Sequence, residues 1–382
     1  MQFLKTVCVG LAALSAAAAE HIKFQIRNGQ LPAHAVNLGG WLVAEHWMTW
    51  SSPIWEGVPD DIANSGEYAT MKYLGHGVGD ARFEQHRQQW ITEGDIREIA
   101  SRGLNTVRVP VGYWIMGEDP TDWPHHEQYK VYAPGALKYL DTLINDWANK
   151  YNVAVMLSLH AHKGSQNGRD HSAPTEIGVK YWSKYWENIE SSVVWAKFMA
   201  ARYKDSPAFL GLNLMNEPEY DTDPNVVRSY FERTYKEIRA TGNDCVIGVS
   251  PMLSEQGPPN MMDFMRWPAY YNVWHEWHPY FVWGYEGKNE EQLIEAVKEY
   301  GRTHIQPWSG NWLFLGEWSM ASPGSASFND EAQFRRFGQT LLDVFRGAHQ
   351  GWAFLSWRVS GDGYGRNGWS MRQMLRNGWL KL

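Results

Sequence analysis

The stretch Phe209-Leu-Gly-Leu-Asn-Leu-Met-Asn-Glu-Pro218 is almost continuously apolar until it ends in Asn216 and Glu217. A strand of an antiparallel sandwich would alternate apolar and polar residues, whereas an apolar run of this kind is typical of a strand covered on both faces. Helical segments flank it, Lys184–Tyr203 before and Pro224–Thr241 after, with apolar residues at three- and four-residue spacing. This order indicates parallel strands joined by crossover helices.

The same alternation recurs along the chain, which contains eight β-rich apolar runs. The runs are His34–Leu42, Asn105–Val111, Asn152–His160, Phe209–Asn216, Cys245–Pro251, Tyr271–Tyr280, Trp312–Trp318 and Gly351–Val359. Further helices are predicted at Asp95–Ser101, Pro134–Tyr151, Asn289–Thr303 and Asp330–His349, with Pro134 and Pro224 in first turns. We therefore predict an α/β fold, a single (β/α)8 TIM barrel over residues 20–382, whose chemistry lies at the carboxyl ends of the strands.

The first nineteen residues have the features of a secretory signal peptide. Lys5 is followed by the apolar stretch Thr6–Ala16 and by small residues up to Ala19. We therefore expect a secreted protein, extracellular or associated with the cell wall. No later segment offers the roughly 20 apolar residues that a spanning helix needs, so no membrane partner is expected. Cys245 would be the one cysteine left after cleavage, which excludes an intrachain disulfide.

The composition favours a saccharide substrate. A formal net charge of −7 offers no basic face for nucleic acid or anionic membranes. The chain contains 22 Trp, 19 Tyr and 14 Phe, more rings than a core requires. Aromatic faces can stack on the C–H face of a sugar while their polar edges bond hydroxyl groups. A large Trp-rich core is the alternative explanation for these rings. We expect a monomer.

Polar groups end most of the apolar runs, and a closed barrel gathers these ends on one rim. They are Arg108, His160, Asn216, Glu217, His278, Tyr280, Glu317 and Trp357. Charges at the ends of buried strands lose hydration unless they are paired or used in a site. Glu217 follows the fourth run and Glu317 lies in the seventh, so the two carboxyl groups face each other across the rim. Two facing carboxyl groups are the minimal apparatus of a glycosidase. We expect ionised Glu317 to raise the pKa of Glu217, as a general acid requires.

Several motifs at these strand ends resemble one glycosidase family. Asn216-Glu217-Pro218 and Gly316-Glu317-Trp318 resemble the cellulase-like clan that carries its acid/base and nucleophile at strands four and seven. Other motifs narrow the resemblance to the exo-β-1,3-glucanases (glucan 1,3-β-glucosidases) of fungi and oomycetes in glycoside hydrolase family five. These motifs are Val36-Asn-Leu-Gly-Gly-Trp41, Ser158-Leu-His160, Gly164-Ser-Gln-Asn-Gly168 and His278-Pro-Tyr280. The match runs from about His34 to Trp357.

The resemblance implies a retaining enzyme that releases glucose from β-1,3-glucan, with Glu217 as acid/base and Glu317 as nucleophile. It also implies eight substrate-binding residues: Glu45, Arg108, His160, Asn216, His278, Tyr280, Trp283 and Trp357. Asn216 is expected to bond the sugar 2-hydroxyl, Arg108 and Tyr280 to contact Glu317, and Trp357 to form the floor of the first sugar subsite. The histidines would line that subsite, Glu45 would bind outer hydroxyls and Trp283 would stack on the leaving sugar.

Exo action is implied by the loop Gly164–Ser172 and by Trp283, which would close one end of the cleft. The sequence departs from the subfamily in this loop, because Arg169 and His171 stand where an aromatic residue and an amide are usual.

Other functions are also consistent with parts of this pattern. An endo-β-1,4-glucanase, a β-1,6-glucanase or a mannanase could use the same scaffold. A non-catalytic sugar-binding barrel would keep the aromatic cleft and lose a carboxylate. A metal hydrolase would need the histidines of His160-Ala-His162 and His275-Glu-Trp-His278, but the second spacing is one residue short of a zinc helix motif. No metal or other cofactor is implied.

Overall fold

The structure is a computed structural model that describes residues 20–121, 127–363 and 365–382. The proposed signal peptide, Met1 to Ala19, lies outside the described residues and stays a prediction.

Eight parallel strands form a closed barrel in which each strand pairs with the next and β8 pairs with β1. The strands are β1 Ala33–Asn37, β2 Thr106–Gly112, β3 Ala154–Ala161, β4 Phe209–Asn213, β5 Val246–Val249, β6 Val273–Trp277, β7 Leu313–Trp318 and β8 Gly351–Phe354. The predicted (β/α)8 barrel is confirmed. Most strands are shorter than the apolar runs that contain them, because the polar ends of the runs leave the sheet and form loops at the rim.

Helices connect most of the strands. They are α1 Ile22–Arg27, α2 His46–Thr49, α3 Asp60–Ala63, α4 Glu67–Leu74, α5 His76–Trp90, α6 Glu93–Ser101, α7 Leu137–Thr142, α8 Ala148–Lys150, α9 Trp186–Arg202, α10 Pro224–Ala240, α11 Glu290–Tyr300, α12 Glu331–Phe345 and α13 Met371–Arg376. A π-helical turn, Leu143–Trp147, joins α7 to α8. Between β5 and β6 the connection contains only a 3-10 turn, Leu253–Glu255.

Local sequence explains where several helices begin. Asp223 accepts a hydrogen bond from Asn225 N at the start of α10, and Pro224 occupies the first turn as predicted. The prediction for Pro134 is wrong, because α7 begins only at Leu137. The segment Thr49–Gly79, between β1 and β2, contains α3, α4 and the start of α5.

The barrel interior changes from apolar to charged along its axis. Alternate strand residues such as Met156, Trp274 and Phe314 form one buried cluster, which Ile26 of α1 joins. Nearer the carboxyl ends of the strands, Arg108 and Glu276 are fully buried. The charged end therefore rests on a packed apolar support. Within the described ranges, no helix combines the length and apolar character needed to cross a bilayer.

Candidate active site

A cavity of about 700 Å³ opens at the carboxyl ends of the strands. Its lining combines carboxylates, imidazoles and aromatic rings: Glu45, Trp47, His160, Arg169, Asp170, His171, Glu217, Glu219, Leu253, His278, Tyr280, Trp283, Glu317, Leu355 and Trp369. Five of the eight predicted substrate-binding residues line this cavity together with Glu217 and Glu317. The structure thus brings both glutamates and most of their predicted neighbours into one space.

 By residue, the predicted site members Glu45, His160, His278, Tyr280 and Trp283 line the cavity beside Glu217 and Glu317, whereas Arg108, Asn216 and Trp357 do not.

The two glutamates meet at the bottom of this cavity. One carboxylate oxygen of Glu217, one of Glu317 and one ring nitrogen of His278 all lie within 4.8 Å of one another. Retaining glycosidases hold their carboxyl groups about 5–5.5 Å apart and inverting ones about 6.5–9.5 Å apart. The arrangement therefore fits the shorter separation and a retaining mechanism.

The backbone around Glu217 is held in an unusual conformation. Glu217 has a φ of 47°, in the left-handed region that residues other than glycine seldom adopt. Asn167 donates from Nδ2 to the Glu217 carbonyl at 3.1 Å, and Gln166 donates from Nε2 to the Asn216 carbonyl at 2.8 Å. These bonds from the loop after β3 fix the turn after β4 that carries Glu217.

Glu317 receives a donor on each carboxylate oxygen. Arg108 donates from Nη1 to Oε1 at 2.8 Å, and Tyr280 donates from its hydroxyl to Oε2 at 2.8 Å. Burial raises the pKa of Tyr280 and nearby Glu317 raises it further, so Tyr280 remains a donor. The predicted contacts of Arg108 and Tyr280 with Glu317 are present, and they orient an ionised carboxylate.

Arg108 is fully buried beneath the cavity and so contacts protein groups instead of solvent. Besides Glu317, its guanidinium donates to Asn37 Oδ1 at 2.9 Å and to Asn216 Oδ1 at 2.8 Å. Burial lowers the pKa of Arg108, but the surrounding carboxylates outweigh burial and raise it. Asn216 is buried as well, and its Nδ2 has no partner among the described residues.

Glu276 is a site residue that the sequence reasoning missed. It is buried in β6 and accepts hydrogen bonds from His278 Nε2 at 2.9 Å and from Asn213 Nδ2, while Arg108 Nη2 lies 2.8 Å from its Oε1. A Cβ on Gly316 would come within 2.1 Å of Glu276 Oε1, so only glycine leaves room for this carboxylate. A sequence signal existed, because residues two apart on a strand share a face and His278 follows Glu276 by two.

His278 bridges two carboxylates. Its Nδ1 lies 2.7 Å from Glu217 Oε1, and its Nε2 contacts Glu276. Burial lowers the pKa of His278, but Glu317, Glu217 and Glu276 together raise it to about 10. The ring is therefore an imidazolium that donates from both nitrogens.

The expected raised pKa of Glu217 is wrong. Burial does raise it, but His278, His171 and Arg108 outweigh burial and lower the pKa to about 2. The sequence predicts the charge of Glu317 near Glu217, but it does not reveal the cations that other strands and loops bring to Glu217.

Trp357 does not form the floor of the cavity, and that prediction is wrong. Its ring is fully buried, and its indole N–H donates to Asp95 Oδ1 at 2.9 Å. β8 ends at Phe354, and the chain then turns so that Leu355, two residues before Trp357, lines the cavity.

A cluster of rings that we call the aromatic wall lines the cavity instead. Trp369 lies at its centre, with ring centroids 5.2 Å from Trp47, 5.7 Å from Tyr280 and 6.0 Å from Trp283. Trp369 falls outside the stretch covered by the family resemblance, and nothing in the sequence distinguished it from the other tryptophans. The wall offers an apolar surface on which sugar rings can stack.

The cluster of Glu217, Glu317 and His278 is compact enough to hold a cation, but its chemistry does not fit one. A histidine ligand needs a free lone pair, and both nitrogens of His278 carry protons engaged by carboxylates. In the other histidine pair, the Nδ1 atom of His162 lies 2.7 Å from Ser192 Oγ. While His278 donates to both carboxylates it offers no lone pair to a cation in this cluster.

Glu45 allows a prediction about stability. It accepts a bond from Trp47 Nε1 at 2.8 Å, and burial raises its pKa from 4.5 to about 8. Between these values the folded state keeps a proton that the unfolded chain releases, so stability falls as the pH rises. Glu45→Gln has no proton to release and so does not show this loss of stability. The difference obtained by subtracting the wild-type Tm from the Tm of the variant should therefore increase between about pH 5 and pH 8. Differential scanning calorimetry at both pH values measures this difference, and a pH-independent difference would contradict the assignment.

Comparison with known proteins places this geometry among glycosidases. The family model described as "Cellulase (glycosyl hydrolase family 5)" matches residues 72–361. A probable glucan 1,3-beta-glucosidase A of Emericella nidulans is 29% identical, over 90% of this chain and 88% of its own length. A glucan 1,3-beta-glucosidase of Blumeria graminis is 32% identical, over 80% of this chain and 69% of its own. The crystal structure of a rutinosidase from Aspergillus niger superposes with a TM-score of 0.74 at 20% identity, covering 92% of this chain and 98% of its own, which supports the fold.

Proposed function

Because this chain belongs to glycosyl hydrolase family 5, we propose that it is a retaining β-glycosidase that releases glucose from the ends of β-1,3-glucan. The observation that carries the proposal is that a carboxylate oxygen of Glu217 lies within 4.8 Å of a carboxylate oxygen of Glu317 in the cavity. The names of the relatives supply the substrate, because they are glucan 1,3-beta-glucosidases. The chemistry follows from the residues of this chain.

In the first step, a Glu317 oxygen attacks the anomeric carbon and forms a glycosyl ester. The bond from that carbon to the leaving oxygen breaks, and Glu217 transfers a proton to this oxygen. Arg108 and Tyr280 hold the attacking carboxylate in one orientation. Such positioning lowers the barrier because the carboxylate needs no rearrangement before attack.

In the second step, water attacks the same carbon and releases Glu317. Glu217 accepts the proton of that water. Each displacement inverts the anomeric carbon, so the product keeps the β configuration of the substrate. The 2-hydroxyl of the sugar is a candidate partner for Asn216 Nδ2, which is buried and without a partner among the described residues.

Action on chain ends is supported by the walls of the cavity. The loop after β3 places Arg169, Asp170 and His171 on one side, and Trp283 lies at the rim with 64% of its surface exposed. A cavity closed on one side accepts a chain end more readily than the middle of a polymer. An endo-acting glucanase or mannanase on the same scaffold is the competing function.

We also propose that the enzyme is secreted and acts as a monomer outside the cell or at the cell wall. The support is the sequence of Met1 to Ala19, which has the basic, apolar and small-residue regions of a signal peptide. An extracellular location suits a polymeric substrate that cannot enter a cell.

Hydrolysis of laminarin tests both substrate and mode. We expect glucose as the first and dominant product, and NMR during early turnover should show its β anomer before mutarotation, because two inversions retain configuration. Early mixed oligosaccharides would contradict exo action. Faster hydrolysis of cellulose, pustulan or mannan than of laminarin would contradict the proposed linkage. A catalytically inactive preparation, Glu317→Ala, serves as the control for contaminating hydrolases.

A further inference from the structure

Glu217 has an imidazole beside each of its carboxylate oxygens. His278 Nδ1 lies 2.7 Å from Oε1, and His171 Nε2 lies 3.6 Å from Oε2. Because His278 already donates to Oε1, Oε2 is the oxygen left to carry the proton to a leaving group. His171 lies next to that oxygen and also lines the cavity.

We propose that His171 is the proton partner of Glu217: it holds the proton that Glu217 passes to the leaving group and takes it back during hydrolysis of the intermediate. This inference rests on the proposed glycosidase function and adds to it a positioning residue on the leaving-group side. His278 then has a different task, which is to fix the Glu217 carboxylate.

The loop that carries His171 is held in place by its own hydrogen bonds. Ser172 donates from Oγ to the Arg169 carbonyl at 2.8 Å, and the Ala173 amide donates to the Asp170 carbonyl at 2.8 Å. A Cβ on Gly66 would lie 2.5 Å from the Asp170 carbonyl oxygen, so α4 begins tightly against this loop. The His171 ring also packs edge to face against His160, with centroids 5.1 Å apart. His171 is therefore preorganised beside Glu217.

The charges around His171 favour its protonated form. Glu217, Glu45 and Glu317 face it from three different parts of the barrel, and Asp170 is its neighbour in the loop. Burial lowers the pKa of His171, but the acidic groups around it, Glu217 foremost, outweigh burial and raise it.

Two basic neighbours of His171, Arg169 and His160, do not cancel the increase in its pKa. Arg169 is paired with Glu219 at 2.8 Å. Burial and the nearby His171 and Arg108 lower the pKa of His160 well below its usual value, so His160 is neutral. His171 is consequently the cavity-lining imidazole that can carry a proton without being locked between two carboxylates, as His278 is.

The proton transfers balance over the two steps. In the first, the proton on His171 Nε2 moves to Glu217 Oε2 and on to the glycosidic oxygen, which receives the electron pair of the breaking bond as Glu317 bonds the anomeric carbon. In the second, water attacks that carbon, the bond from the carbon to Glu317 breaks and leaves Glu317 as a carboxylate, and the proton of the water passes through Glu217 Oε2 to neutral His171. The pair returns to imidazolium and carboxylate with no net gain or loss of protons.

The test compares leaving groups in wild type and His171→Gln. The substrates are laminaribiose and aryl β-glucosides from 2,4-dinitrophenyl, whose leaving group needs no proton, to phenyl. In His171→Gln we expect kcat/KM for laminaribiose to fall on the order of 10²-fold, the lower range for general acid catalysis, with little change for the dinitrophenyl glucoside. The basic limb of the laminaribiose pH profile should also move to lower pH, because Glu217 must then hold the proton alone.

His46→Gln is the matched control. His46 is an imidazole whose Nδ1 lies 2.9 Å from a neutral side-chain oxygen, Asn64 Oδ1, and it does not line the cavity. It should leave the dependence on leaving group unchanged. An equal loss on all substrates in His171→Gln, or an unshifted pH profile, would overturn the proton role. Wild-type enzyme that hydrolyses none of these glucosides would overturn the proposed function, and the inference with it.

Discussion

Glu317→Ala is expected to reduce kcat on laminaribiose on the order of 10⁵–10⁶-fold, the scale on which enzymes lose activity without their nucleophile. The variant cannot form the glycosyl ester, and Arg108 and Tyr280 lose the acceptor to which both donate. Steady-state assays with laminaribiose measure the loss. The fold should persist, because the barrel core lies below the charged layer, and circular dichroism provides that control.

Addition of azide distinguishes loss of the nucleophile from a disturbed structure of the Glu317→Ala variant. In Glu317→Ala, azide can occupy the space of the missing carboxylate and attack 2,4-dinitrophenyl β-glucoside in a single displacement. One inversion gives α-glucosyl azide, identifiable by NMR. Recovery of β-glucosyl azide, or near-normal activity of Glu317→Ala without azide, would refute the assignment of Glu317.

Glu217→Ala is expected to lose activity according to the leaving group. On laminaribiose the loss should be roughly 10³–10⁴-fold, the upper range for removing a general acid. With 2,4-dinitrophenyl β-glucoside the ester should still form, since dinitrophenolate leaves without a proton. Its hydrolysis should then be slow because no base activates water, so a burst of dinitrophenol precedes a slow steady state in stopped-flow absorbance.

In Glu217→Ala, azide is expected to give the opposite stereochemical outcome from the one in Glu317→Ala. Azide should accelerate the slow step and give β-glucosyl azide, because Glu317 performs the first inversion and azide the second. An α product would mean that the roles of the two glutamates are exchanged. Absence of a burst together with equal losses on both substrates would mean that Glu217 is not the acid.

Much of the fold was predictable because it depends on patterns local to the chain. The apolar runs reveal strands buried on both faces, and eight of them with intervening helices leave few alternatives to a barrel. The positions of Glu217 and Glu317 followed from the rule that parallel strands end on one rim. Their contacts with Arg108 and Tyr280 depended on the family resemblance.

What could not be predicted depends on side chains that distant segments bring together. The pKa of Glu217 is lowered by His278, which directly follows β6, and by His171, which lies in the loop after β3. Trp369 enters the cavity after a long excursion beyond β8, whereas Trp357 turns into the core. The strand β8 ends at Phe354, before either residue, although the eighth apolar run continues to Val359, so the run gives no information about which tryptophan faces a sugar.

The aromatic wall has one more consequence for how this protein can change. Trp47, Trp283 and Trp369 come from the connections after β1, β6 and β8, while Arg108 lies in β2 and His278 directly follows β6. Loops tolerate replacement far better than the elements they join. Evolution can therefore change the glycoside specificity of this enzyme by replacing these loops. The two glutamates that break the glycosidic bond can remain unchanged.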